Sequence, residues 1–73
     1  MTLIEDSSYL HSAEFLEDSN ALIIEFKRGN PKKWKYSPVT REGFNAMMMA
    51  ESTGSYFSKH IRDNPDVIAE SIN

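Results

Sequence analysis

A chain of 73 residues without a cysteine can form one small domain, with no disulfide to staple it and no thiolate to hold a metal. Its 40% hydrophobic content, with one Trp, three Tyr and four Phe, is enough for a single apolar core. The longest apolar runs, residues 21–24 and 46–50, fall far short of the roughly 20 residues that cross a bilayer. No basic stretch precedes an apolar core at the N-terminus, so the expectation is one domain over residues 1–73 that works in the cytosol.

The net charge of −3 is unevenly distributed. Residues 1–26 hold Glu5, Asp6, Glu14, Glu17, Asp18 and Glu25 and no base, whereas residues 27–41 hold Lys27, Arg28, Lys32, Lys33, Lys35 and Arg41 and no acid. Such blocks either make a dipolar surface that steers a charged partner or mix in space once strands pair.

In chain order, residues 8–17 alternate loosely and read as a first strand ending at the turn formers Asp18-Ser19-Asn20. Residues 21–27 form the clearest strand, with Leu22, Ile24 and Phe26 on one face and Ile23, Glu25 and Lys27 on the other. Arg28-Gly29-Asn30-Pro31 signals a turn. A third strand over 32–37 puts Trp34 and Tyr36 opposite Lys33, Lys35 and Ser37.

Thr40 then caps a helix that begins at Arg41 and runs to about residue 52, with Val39 and Phe44 in the positions of a hydrophobic staple. Met47 and Met48 flank Phe44 at about 60° and 40°, facing the core, while Met49 lies about 140° away and is exposed. After Gly54 a second short helix carries Tyr56, Phe57 and Ile61, and Pro65 limits it. Residues 66–73 read as a weak turn or a frayed tail. The expected fold is α+β, a three-stranded antiparallel meander packed by one main and one short helix. Its expected core is Leu22, Ile24, Phe26, Trp34, Tyr36, Phe44, Met47, Met48, Phe57 and Ile61.

Catalysis needs convergent groups with tuned proton affinities, and the chain has no Gly-x-Ser-x-Gly elbow or Gly-rich loop. Its two histidines, His11 and His60, lie on different elements without ligand-like spacing. The expectation is therefore a binding protein, with no catalytic residues, metal or cofactor. The hairpin around residues 27–36 interleaves bases with aromatics, the pattern of phosphate contact plus base stacking. Alternation places Trp34 and Tyr36 away from Lys33 and Lys35, so an acidic protein surface is an equally suitable partner. Arg28, Lys32, Lys33 and Lys35, together with the exposed Met49, are the candidate contact residues, and the acidic face of the first strand is a further candidate.

The stretch Ala50-Glu51-Ser52-Thr53-Gly54-Ser55-Tyr56-Phe57, followed by His60-Ile61-Arg62, resembles the signature of the KTSC domain, a family named for the C-terminus of lysyl-tRNA synthetases. Ser7-Ser8, Phe15, Leu22-x-Ile24-x-Phe26, Gly29 and Trp34-x-Tyr36 agree with it, over about residues 7–62. The resemblance implies a compact α+β module with a role in nucleic-acid or translation complexes. The chain departs from the family pattern at four places. Pro38-Val39 inverts a hydrophobic-Pro pair, Ser58 replaces Asn, Met49 replaces a small residue, and Asp63-Asn64-Pro65 stands where an aromatic often follows. None adds a buried charge, so the fold should persist.

As a whole, the chain is also similar to small bacteriophage regulators that bind host bacterial RNA polymerase. That similarity implies the N-terminal region of the β′ subunit as partner, with inhibition of σ-dependent initiation and suppression of termination. The alternatives are an RNA- or DNA-binding module and an interaction domain for another protein. No membrane partner is expected, and the chain is expected to be a monomer.

Overall fold

A computed structural model describes residues 2–5, 7–29 and 31–72. Five strands form one antiparallel sheet in chain order: β1 (Thr2–Leu3), β2 (Leu10–Leu16), β3 (Ala21–Phe26), β4 (Lys33–Ser37) and β5 (Ile68–Ile72). Between β4 and β5 come α1 (Arg41–Met49), α2 (Thr53–Phe57) and a π-helical turn, Ser58–Arg62. The α+β meander is as expected, but the three-stranded sheet is corrected to five strands, four of them at least five residues long. The two-residue β1 and the edge strand β5 are the additions. Residues 68–72, expected to fray or turn, instead pair along the whole of β4, from Lys33 opposite Ile72 to Ser37 opposite Ile68.

Local chemistry explains the boundaries. The β2–β3 turn ends at Asn20, whose φ of 48° is a conformation asparagine tolerates, and the β3–β4 turn uses Gly29 at φ 117°. The Ser37–Pro38 bond is cis. The Thr40 hydroxyl accepts from the Gly43 amide at 3.0 Å and starts α1 as its sequence predicts. α1 ends at Met49, short of the expected residue 52, because Ser52 caps a new helix by accepting from the Ser55 amide at 3.3 Å. α2 and the π-helical turn supply the expected second helix, with Phe57 and Ile61 buried, but the break between helices falls at residues 50–52 and Gly54 lies within α2.

The sheet has two distinct faces. The inner face carries Ala13, Leu22, Ile24 and Tyr36 and packs under Met47, Phe57 and Ile61 from the helical layer. Phe57 is the centre of this core, edge-on to Tyr36 at 5.1 Å and to Phe26 at 6.1 Å. Phe15 stacks on Phe44 at 5.5 Å and ties β2 to α1. Of the expected core, Leu22, Ile24, Tyr36, Met47, Phe57 and Ile61 are buried, whereas Phe26, Trp34, Phe44 and Met48 are half-buried at its margin. Trp34 Nε1 donates to the Pro31 carbonyl at 3.3 Å, which keeps that edge of the indole near solvent. Ile4, Leu10, Ala13 and Val39 complete the core.

Candidate partner interface

The KTSC-like signature forms a joint between the start of β2 and the helical layer. Tyr9 donates its hydroxyl proton to the Gly54 carbonyl at 2.7 Å. That proton being committed, Ser58 Oγ, also at 2.7 Å, donates to the Tyr9 oxygen. Ser7 Oγ accepts from the amides of Tyr9 and Leu10 at 3.2 and 3.1 Å, and Lys27 Nζ caps the Ser7 carbonyl at 2.8 Å. A Cβ at residue 54 would stand 3.0 Å from both Ser7 Oγ and Tyr9 Cε1, so any side chain there would make these neighbours give way. The joint is structural, and it takes Lys27 out of the freely available cations of the hairpin.

The five sequence candidates do not form one patch. Arg28 and Lys32 are exposed in the β3–β4 turn region. Lys33 and Lys35 point from β4 to the outer face of the sheet, which no helix covers. Met49, 84% exposed at the end of α1, belongs to the helical layer. Its exposure is as expected, but it does not share a surface with the lysines.

Strand pairing mixes the charge blocks on the outer face. Lys33 lies between Glu25 and Ile72, and Lys35 lies between Ile23 and Glu70, with Glu14 beyond Ile23. The lysines and the acidic strand face, separate candidates in the sequence, thus occupy one surface. Exposed Leu3 (62%) and Ile68 (70%) stand at its two sides. Ile23 at its middle is only 8% exposed, because the longer side chains around it close over it. Ile68, Glu70 and Ile72 were missed in the sequence because β5 buries almost nothing. Counting outward from Ser37 on a paired strand would have been the only signal.

A cleft of about 210 Å³ runs between the start of α1 and the π-helical turn and is lined by Val39, Tyr56, His60 and Ile61 among others. The His60 ring lies 4.3 Å from that of Tyr56. His11 is exposed at a bulge in β2, and no group of three or more His, Cys, Asp or Glu is placed to hold a metal ion among the described residues. Burial pushes the Tyr36 phenol above its ordinary value of 10.0, partly offset by the Arg62 guanidinium. No helix among the described residues is long and apolar enough to cross a membrane.

An antiparallel sheet with one helix-covered and one open face, jointed through Tyr9 and Gly54, defines the class: a small α+β module. The family model of the KTSC domain matches residues 6–64, and the chain belongs to that family. A crystal structure of a KTSC domain protein from Yersinia pestis is similar in fold, with a TM-score of 0.84 and 21% identity over 99% of this chain and 94% of the other. No match is found among curated proteins.

Proposed function

We propose that the chain is a stoichiometric protein-binding module and that its partner is bacterial RNA polymerase, through the N-terminal region of β′. In this reading it inhibits σ-dependent initiation and suppresses termination in the host cytosol by occupying a docking surface. The observation that supports a protein partner is the mixed outer sheet face. Phosphate backbones favour an unbroken run of cations, whereas Lys33 and Lys35 here alternate with Glu14, Glu25 and Glu70. Alternating charges bordered by Leu3 and Ile68 suit the polar and apolar mixture of a protein surface. A standard interface of about 800 Å² per partner would take roughly a sixth of the 4766 Å² surface. The choice of polymerase follows the similarity of the whole chain to small bacteriophage regulators.

The test is a pull-down from bacterial lysate with the purified domain as bait, with and without nuclease. Polymerase should be recovered equally in both, and a Lys33→Gln/Lys35→Gln double variant should recover less. Undiminished recovery by the folded double variant would remove the outer face from the interface.

A nucleic-acid-binding module is the second reading, favoured by a different corner. Tyr9 and Phe26 stack at 6.3 Å and line a groove with Arg28, and Lys32 is exposed beside them. Recovery that nuclease abolishes, or affinity for bare RNA or DNA that falls steeply with salt, would replace the polymerase reading with this one.

A further inference from the structure

We propose that β5 is a pairing edge for a second copy of this chain, forming a two-fold dimer whose antiparallel sheet runs continuously through both. The strand ends the sheet, and its far side pairs with nothing among the described residues. Residues 68–71 are exposed and Ile72 is half-buried. Natural sheets blunt such edges with lysine, proline or a bulge, because the unpaired amides and carbonyls template another strand. Ile68–Ile72 has no lysine, proline or bulge, and its one charge is Glu70 at the centre.

The order of residues selects a second copy over an unrelated strand. Ile-Ala-Glu-Ser-Ile reads as aliphatic, small, acidic, small, aliphatic in either direction. A two-fold axis perpendicular to the sheet keeps each face on its own side and reverses the strand, so each position meets its mirror position, and this order makes the terminal pairs aliphatic and the flanking pairs small. With the axis at Glu70, Ile68 of each copy lies opposite Ile72 of the other, twice over, on the outer face. Ala69 and Ser71 pair on the inner face, where their small size adds no bulk beside the helical layer. Ile68, 70% exposed in the single chain, gains a partner. The two Glu70 carboxylates oppose each other at the axis, but each has Lys35 as its neighbour across β4. The row from Lys35 through both glutamates to the second Lys35 is electrically neutral. The like-charged centre keeps the association weak and the Ile pairs make it specific.

Sedimentation equilibrium of the purified chain, from micromolar to millimolar concentration, tests this independently of any polymerase. The wild type should show a monomer–dimer equilibrium. Glu70→Gln removes the opposed charges and should tighten the dimer about two- to five-fold. Ile68→Lys places an ammonium group against Ile72 at both ends of the ladder and should leave only monomer. Because Ile68 is exposed in the monomer, its replacement should not disturb the fold, as circular dichroism would verify. Wild type and Glu70→Gln both monomeric throughout, or Ile68→Lys dimerising as the wild type does, would overturn the proposal.

Discussion

The Tyr9 hydroxyl reaches the carbonyl oxygen of Gly54 at 2.7 Å, binding the residue before β2 to the first turn of α2 across most of the chain. The bond accounts for two features at once: why residue 54 has no side chain, and why a half-buried phenol stands at the margin of the core.

Gly54→Ala should therefore destabilise the domain. Alanine gains about 1 kcal/mol in helix propensity. Against that, its Cβ would press on Ser7 Oγ and Tyr9 Cε1, both held by hydrogen bonds, and forced packing of this kind costs about 1–3 kcal/mol. Tyr9→Phe keeps the ring but removes one of the two hydrogen bonds to the Gly54 carbonyl, which retains the Ser58 amide, and takes away the acceptor of Ser58 Oγ, at a cost of about 1–2 kcal/mol. Urea midpoints measure both, and a Gly54→Ala protein more stable than the wild type would contradict the close approach.

The methionine run gives a graded series. Met47 is fully buried, so Met47→Ala should cost about 2–5 kcal/mol. Met49→Ala should stay within about 0.5 kcal/mol, as exposed changes usually do. Half-buried Met48 should fall between them. Equal losses at 47 and 49 in thermal or chemical denaturation would mean that α1 presents another face.

Ser12 is fully buried, and its Oγ has no hydrogen-bond partner among the described residues. An unpaired buried hydroxyl costs about 1–3 kcal/mol in lost hydration. Ser12→Ala removes it with almost no change in shape and should stabilise the domain by about 1 kcal/mol. A clear loss of stability on this substitution would show that the hydroxyl is satisfied in solution.

Tyr36 makes stability sensitive to alkali. Its folded value is raised, so below the unfolded value near 10.0 both states keep the proton and the contribution is fully present. Above it the unfolded chain ionises first, and stability falls until the pH passes the folded value. Between about pH 9 and 11 the wild type should lose more stability than Tyr36→Phe. Parallel pH profiles for the two proteins would refute the assignment.

What the sequence revealed depended on how much each segment buries. β3 was readable because Glu25 and Lys27 stand against Leu22, Ile24 and Phe26, although its burial does not alternate: Ala21 and Ile23 on the outer face are buried as well. Thr40 announced α1 because capping is local chemistry. β2 was only loosely readable, since the bulge between Leu10 and Ser12 breaks the two-residue period and places Leu10, Ser12 and Ala13 all out of solvent. β5 was hidden because an edge strand with exposed residues on both faces has no burial pattern to display. The interface was half visible. Lys33 and Lys35 were found by alternation, but their neighbour Glu70 comes from that unseen strand, and Met49 belongs to the other side of the sheet. The Tyr9–Gly54 joint has no local signature at Tyr9, whose partner is set by the tertiary fold.

The route of the chain into β5 also divides the sheet in time. β2, β3 and β4 meet through short turns and can zip together early, whereas β4 and β5 meet only after the segment 38–67 has been threaded across the inner face. That closure carries a larger entropic cost and is repaid by a single ladder that is exposed along four of its five residues. Amide hydrogens shared by β4 and β5 should therefore exchange with solvent through a partial opening that leaves the β2–β3 ladder protected. The outer face that holds Lys33 and Lys35 would then exist in two widths, with and without its last strand.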